Sequence, residues 1–217
     1  MIVLNFINIK FKTMNPIDNY KLIEPHLRWD NPDMFYFIQI FKRRKDNPGM
    51  DKDMVLIDNF YIYTKEQFDK IYPLIKTTCD AHNARAYFRF NRRSAKQTAL
   101  QSLKRLTEMI IQENYKSAKG SYASAAGEFH AEKDKTWIID IDYIDLKDLS
   151  DREKIKDILI DLQIKTGREP LILEFPSRNG IHYITRPFNS KEYEMIIKEM
   201  NIITDLHKDN PTILYMP

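Results

Sequence analysis

Several features that would restrict the class of this protein are missing from its sequence. The only cysteine is Cys79, which excludes an internal disulfide bond and a cysteine-based zinc site. No run of 18 apolar residues occurs, so the sequence predicts no membrane-spanning helix and no membrane partner. The apolar opening, residues 1–14, has neither a basic start nor a small-residue cleavage site; it is interpreted as a strand or a leader, not a signal peptide. These features together favour a cytoplasmic protein.

The sequence also lacks a large excess of positive or negative charge, since its net charge is +3 at pH 7. The distribution is less even, because residues 85–135 carry eleven lysines and arginines against five acids. This local excess predicts either a surface for a polyanion or an ordinary solvated helix face. A hydrophobic content of 43% favours a folded chain over a disordered one.

The first half of the chain, residues 1–116, predicts alternating strands and helices. Apolar runs over 34–41, 54–63 and 84–91 are typical of strands. Thr64 with Gln67, and Ser94 with Gln97, have the spacing of capping boxes and predict two helix starts. Apolar residues at helical spacing in the second helix are expected to face a core. They are Leu100, Leu103, Leu106, Ile110 and Ile111.

The second half, residues 136–217, predicts a β-α-β-β-α-β unit, and residues 117–135, rich in small side chains, predict a loop between the halves. Asn179-Gly180 is a strong signal for a hairpin turn between strands 170–175 and 180–188. The expected fold class is therefore α+β, with a ferredoxin-like second half in which the first and third strands are central neighbours.

Alternation along these strands places a group of polar residues on one face of the sheet. Asp140 and Asp142 point away from the helices, and His182 and Arg186 are expected on the same open face. The hairpin residues Leu171, Leu173 and Phe175 are expected on the helix face, which leaves Glu174 on the open one. Two aspartates at i and i+2 suit Mg²⁺ or Mn²⁺. Asp205 is the first choice for a third acid and Asp209 the reserve; the alternative is a merely solvated face.

These residues resemble the motifs of the archaeo-eukaryotic primase superfamily, which includes PrimPol-like primase-polymerases. The family pattern is Asp-x-Asp or Asp-x-Glu, then a small residue-x-His, then a lone Asp after an apolar run. In this chain Asp140-Ile141-Asp142, Gly180-Ile181-His182 and Asp205 resemble these three motifs in the same order. The match covers roughly residues 135–217 and implies that the chain has the catalytic fold of this superfamily. One departure is Tyr215, because the family commonly has an arginine in that strand.

The resemblance also implies roles for the candidate residues. Asp140, Asp142 and Asp205 would hold two Mg²⁺ or Mn²⁺ ions, and His182 would contact the triphosphate of a nucleotide. Further phosphate contacts are implied for the hairpin residues Ser177, Arg178 and Asn179, and for Arg186. The alternative for Arg186 is an ion pair with Glu174. Contacts to a nucleic-acid backbone are implied for four basic residues. They are Arg89, Arg92, Arg93 and Lys96.

The resulting hypothesis is a metal-dependent nucleotidyltransferase that makes or extends short primers on a DNA template. Its expected partners are single-stranded or primed DNA, nucleoside triphosphates, and a helicase or another replication protein. A non-catalytic module or replication subunit that binds single-stranded nucleic acid is the alternative. Other phosphoryl-transfer or nuclease chemistry is a third possibility, because fold does not fix function. The abundance of Lys, Ile and Asn suggests an AT-rich genome such as that of a phage or mobile element.

Overall fold

The computed structural model describes residues 16–217 except Phe129, Lys147 and Leu149. The interpretation of residues 1–14 therefore lies outside the described residues. The chain forms two antiparallel sheets with helices, so the α+β class is confirmed. Within the described part, every helix is too short or too polar to cross a bilayer.

The predicted strands and helices are present in the expected order, and the structure adds β1, α1, α4, α5 and a second strand after α7. The strands are β1 (Ile17–Asp18), β2 (Met34–Arg43), β3 (Met54–Ile62), β4 (Arg85–Ser94), β5 (Trp137–Asp142), β6 (Ile172–Pro176), β7 (Gly180–Thr185), β8 (Asp205–His207) and β9 (Thr212–Met216). The helices are α1 (Tyr20–Ile23), α2 (Lys65–His82), α3 (Ala95–Ile111), α4 (Tyr115–Ala118), α5 (Ser121–Glu128), α6 (Ser150–Ile164) and α7 (Ser190–Met200). Short 3₁₀ turns cover Glu24–His26 and Tyr143–Asp145.

The first sheet has the strand order β1-β9-β4-β2-β3, and α2 covers one of its faces. Thr64 caps α2 by accepting a hydrogen bond from the Gln67 amide, and Ser94 caps α3 in the same way with Gln97. Both predicted helix starts are therefore confirmed. Buried side chains of α2, such as Phe68 and Ile75, pack against the strand residues of this face in one core.

The second sheet has the order β6-β7-β5-β8, so β5 and β7 are the central neighbours as expected. The β-α-β-β-α-β order of residues 137–207 is confirmed. Ile139 and Ile141 of β5 and Tyr183 of β7 pack with α6 and α7 in a second core. The opposite face of β5 contributes Ile138 to the first core, so this face turns toward the first sheet.

Two expectations about the helices and the connection are wrong. Residues 115–118 and 121–128, which overlap the expected loop 117–135, form α4 and α5, and Ala125 and Ala126 are buried. The apolar stripe of α3 is largely exposed, with Leu103 61% and Ile111 76% accessible. Periodicity identified this helix correctly but does not show which side of it meets the rest of the protein.

The last strand returns to the first sheet. β9 pairs with β4 and with β1, although residues 136–217 were expected to form one half. The chain therefore crosses from β8 at the edge of the second sheet into the middle of the first one. This crossing ties the two sheets together beside the polar residues of β5 and β7.

Candidate functional site

A cleft of about 410 Å³ lies between the two sheets. From the second sheet it is lined by the predicted residues Asp140, Asp142 and His182, and by all three hairpin residues. The hairpin residues are Ser177, Arg178 and Asn179. The structure therefore brings six predicted site residues, contributed by β5, β7 and the β6–β7 loop, to one cavity.

His182 lies between an acid and a hydroxyl group. Asp140 and His182 are direct partners in the β5–β7 pairing, and His182 Nε2 is 3.3 Å from Asp140 Oδ1. On the other side of the ring, His182 Nδ1 is 2.8 Å from Oγ1 of Thr212, a fully buried residue of β9. The His182 ring is therefore held from both sides, by Asp140 of its own sheet and by Thr212 of the first sheet.

Asp140 is the more buried of the two cleft aspartates. Burial acts to raise the pKa of Asp140, but His182, His207 and Lys45 act in the opposite direction, and the pKa lies below its usual range. Its Oδ1 atom is buried and lies 3.3 Å from His182 Nε2. Asp140 is therefore a carboxylate at neutral pH that faces a histidine in the cleft.

Gly180 allows the strands at the site to approach each other closely. A Cβ atom at this position would lie 1.8 Å from the carbonyl oxygen of Ile141. The positive-φ glycines among the described residues are Gly49 and Gly167, so Gly180 does not have the left-handed conformation that a type I′ turn at 179–180 requires. The requirement for glycine therefore comes from close backbone approach, and the predicted turn conformation is wrong.

The hairpin register also differs from the prediction. The Ser177 amide donates to the Gly180 carbonyl at 2.9 Å, which leaves Arg178 and Asn179 as the loop, and Phe175 pairs with His182. Phe175 and Leu173 consequently pack in the first core instead of on the helix face. Directly opposite residues of an antiparallel pair lie on the same face, so Phe175 shares the face of His182, and the expected helix-face position of Phe175 and Leu173 is wrong.

Glu174 and Arg186 are displaced from the expected open face. Glu174 forms ion pairs with Arg152 and Lys156 of α6, so it lies on the helix side of its sheet. Arg186 does not line the cleft; its nearest acid is Asp134, at 3.9 Å. The structure supports neither predicted contact of Arg186, with phosphate in the cleft or with Glu174.

Arg178 is held at the cleft by an acid of the first sheet. Asp46, in the turn between β2 and β3, forms an ion pair with Arg178 and accepts two hydrogen bonds of 2.7 Å from Arg85. Arg85 and Asp46 are both buried, whereas Arg178 is partly exposed. The pair links the hairpin loop of the second sheet to the turn of the first sheet.

The predicted nucleic-acid surface on β4 is largely absent. Arg93 is fully buried and pairs with Asp209 at 2.6 Å, and Arg92 is 5% exposed and pairs with Glu132 and Asp30. Buried guanidinium groups neutralised by acids are not available to a phosphate backbone. The prediction for these two residues is therefore wrong.

Two members of the same predicted set remain accessible in part. Arg89 lines the cleft, where its side chain is 16% exposed and donates to the Asp209 carbonyl. Lys96 is exposed at the start of α3, outside the cleft lining.

The choice of a third acid is only partly consistent with the geometry. Asp205 of β8 pairs in register with Asp140, but it is exposed and lines a separate depression beside α7. Asp209, the reserve, is engaged by Arg93 and Arg89. Within residues 16–217 as described, no group of three or more acidic, histidine or cysteine residues has the geometry of a metal site.

The donor atoms that are present fit a hard divalent cation in a two-carboxylate arrangement. Asp140 and Asp142 line one cleft, and a carboxylate accepts through two oxygens, so Asp140 has capacity beyond its contact with His182. Mg²⁺ commonly takes one or two protein carboxylates and fills its other positions with water and substrate phosphate. Asp140 and Asp142 could therefore supply the two protein carboxylates of such a site.

Several cleft residues were missed by the sequence analysis. Gln39, Phe41 and Arg43 of β2 share a face with their β4 partners Tyr87 and Arg85. They line the cleft, as do Lys45 and His207. The run Lys42-Arg43-Arg44-Lys45 was a visible basic signal, but strand alternation identifies a cleft residue only when the facing sheet is known.

Comparisons of this chain with protein-family models, curated proteins and solved structures found no match.

Proposed function

We propose that this protein is a metal-dependent nucleotidyltransferase of the primase-polymerase type, with the fold of the archaeo-eukaryotic primase superfamily. The observation that carries the proposal is the position of Asp140, Asp142 and His182 beside Arg178 in one cleft between two sheets. Adjacent carboxylates next to phosphate-binding cations suit the transfer of a nucleotide. Its substrates are nucleoside triphosphates and a primed or single-stranded DNA template.

Each residue has a role that follows from its position. Asp140 and Asp142 would hold a divalent cation, which would supply charge neutralisation and a lowered pKa for an attacking hydroxyl group. Arg178 offers a planar fork of donors for phosphate oxygens. His182, whose Nδ1 is engaged by Thr212, directs Nε2 toward Asp140 and the adjacent cleft space. The partial exposure of Arg178 leaves it accessible to a ligand.

The test is incorporation of labelled nucleotides on single-stranded DNA, with and without an annealed primer, in Mg²⁺, Mn²⁺ or EDTA. The informative variant is Asp140→Asn/Asp142→Asn. A matched control is Asp157→Asn/Asp161→Asn, which removes two exposed acids from α6. We expect metal-dependent product from the wild type and the control, and a loss of at least about 100-fold in the cleft variant, in the range for removing electrostatic stabilisation of a transition state.

The two DNA substrates separate initiation from extension, because only a primase gives product without a primer. If no product forms under any condition while both double variants retain salt-sensitive DNA binding, the proposal is wrong. The second candidate, a single-stranded nucleic-acid-binding module, then explains the protein better. The excess of arginine and lysine over acid in the cleft lining favours that candidate.

A further inference from the structure

Two cations of the first sheet face the cleft without an acid of their own. Arg43, at the end of β2, and Lys45, in the turn that follows, line the cavity opposite Asp140 and Arg178. Among the described residues, neither side chain has a carboxylate within 4.0 Å. Their neighbour Arg44 lies outside the cleft lining and pairs with Asp53.

Arg43 is held in place by a neutral partner. Its Nη1 atom donates to the Tyr87 hydroxyl group at 3.0 Å, and Tyr87 stands on β4 in the same wall. A phenol orients the guanidinium group without neutralising its charge. The remaining donors of the fork stay available for a ligand, in the geometry that suits phosphate oxygens.

The positive charge around Lys45 is not balanced locally. Partial burial, and then the charges of Arg85, Arg43 and Arg178, lower the pKa of Lys45 despite the nearby Asp142. Asp46, which pairs with both Arg85 and Arg178, has one negative charge for two guanidinium groups. Cations that repel one another in a concave site are stabilised by an anion placed among them.

We propose that Arg43 and Lys45, together with Arg178 on the facing sheet, form a polyphosphate-binding site that operates without a metal ion. The ligand is the phosphate chain of a nucleoside triphosphate, and this choice of nucleotide rests on the proposed function. The two sheets then hold the chain from opposite sides, with Asp140 and Asp142 at one end of it.

The experiment is calorimetric titration with inorganic tripolyphosphate in EDTA at an ionic strength of about 0.15 M, where the Debye length is about 8 Å. The test variant is Arg43→Gln/Lys45→Gln. Arg44→Gln/Lys52→Gln is the matched control, because it removes the same charge from the same turn but from residues outside the cleft lining. Thermal melting of both variants verifies that they are folded, and Lys45→Gln alone provides a milder cleft variant.

We expect the cleft variant to bind tripolyphosphate at least about tenfold more weakly, because it loses charge-assisted hydrogen bonds. The control should stay within about threefold of the wild type, since exposed charges are screened. Equal losses in both variants, or no binding by the wild type, would overturn the inference. So would a cleft variant that loses affinity for a single-stranded oligonucleotide but not for tripolyphosphate.

The outcomes separate this inference from the proposed function. Tripolyphosphate binding that depends on Arg43 and Lys45 supports the site even if the protein incorporates no nucleotide. Conversely, nucleotide incorporation by a cleft variant with unchanged tripolyphosphate affinity refutes the site and leaves the nucleotidyltransferase proposal intact.

Discussion

Substitution of Gly180 by alanine tests the register of the two strands that form the site. The new Cβ atom would lie 1.8 Å from the carbonyl oxygen of Ile141 and 2.8 Å from Asp142 Cα. Contacts below 3.0 Å are essentially never observed for real Cβ atoms. The obstacle is backbone, so no side chain can rotate away, and β5 and β7 must separate by at least about 1 Å.

The cost of that separation can be worked out in order of magnitude. Overpacking costs about 1–3 kcal/mol. Weakening a neighbouring backbone hydrogen bond, such as the one from the Tyr143 amide to the Asn179 carbonyl at 2.9 Å, adds about 1 kcal/mol. A destabilisation of about 3 kcal/mol corresponds to a fall of about 6–12 °C in Tm for a chain of this size.

Urea and thermal unfolding measure this effect, and Gly127→Ala provides the control. Gly127 lies in α5 with no atom within 4 Å of the position of an added Cβ, so alanine there should be neutral or stabilise the fold by about 0.5–1 kcal/mol. If Gly180→Ala stays within about 0.5 kcal/mol of the wild type, the range of an ordinary surface change, the close approach of β5 and β7 is not as described.

Two further predictions concern stability. Arg93→Met should destabilise the protein by about 3 kcal/mol or more in urea unfolding, because it removes the buried ion-pair partner of Asp209. Arg44→Met, which removes an exposed ion pair with Asp53, should cost less than about 1 kcal/mol. Equal costs for the two variants would contradict the burial of Arg93. The pKa of Asp140 is lower in the folded than in the unfolded chain, so its charged form contributes stability above pH ~4 that is lost as the pH falls through the folded pKa. The difference in free energy of unfolding between wild type and Asp140→Asn, measured in EDTA, should therefore shrink as the pH falls below about 4. A constant difference would refute the pKa shift.

Features set by local sequence could be predicted from it. The cap residues Thr64, Ser94 and Asn189 each accept a hydrogen bond from an amide three residues along the chain, so their spacing contains the necessary information. Alternation along β5 also placed Asp140 and Asp142 on one face and Ile139 and Ile141 on the other. These interactions depend on neighbours in the chain and not on the tertiary fold.

Features set by distant partners could not be predicted in this way. The acids that neutralise Arg92 and Arg93, among them Glu132 and Asp209, are 40 and 116 residues away, so the basic segment looked like a free surface. The face of β6 follows from its pairing with β7, where Phe175 lies opposite His182 and therefore shares its face, and alternation within β6 alone does not contain that information. The exposed stripe of α3 shows that apolar periodicity alone does not establish burial.

The two predicted halves, 1–116 and 136–217, were expected to form one integrated domain, and the contacts between the two sheets bear on the site. Thr212 belongs to β9, which pairs with β4 of the first sheet, yet its hydroxyl group contacts His182 of the second sheet. Asp46, in the β2–β3 turn of the first sheet, likewise forms an ion pair with Arg178 in the hairpin loop of the second sheet. His182 and Arg178 are thus each held by a residue from the other half of the cleft, and the cleft requires both sheets to be folded together.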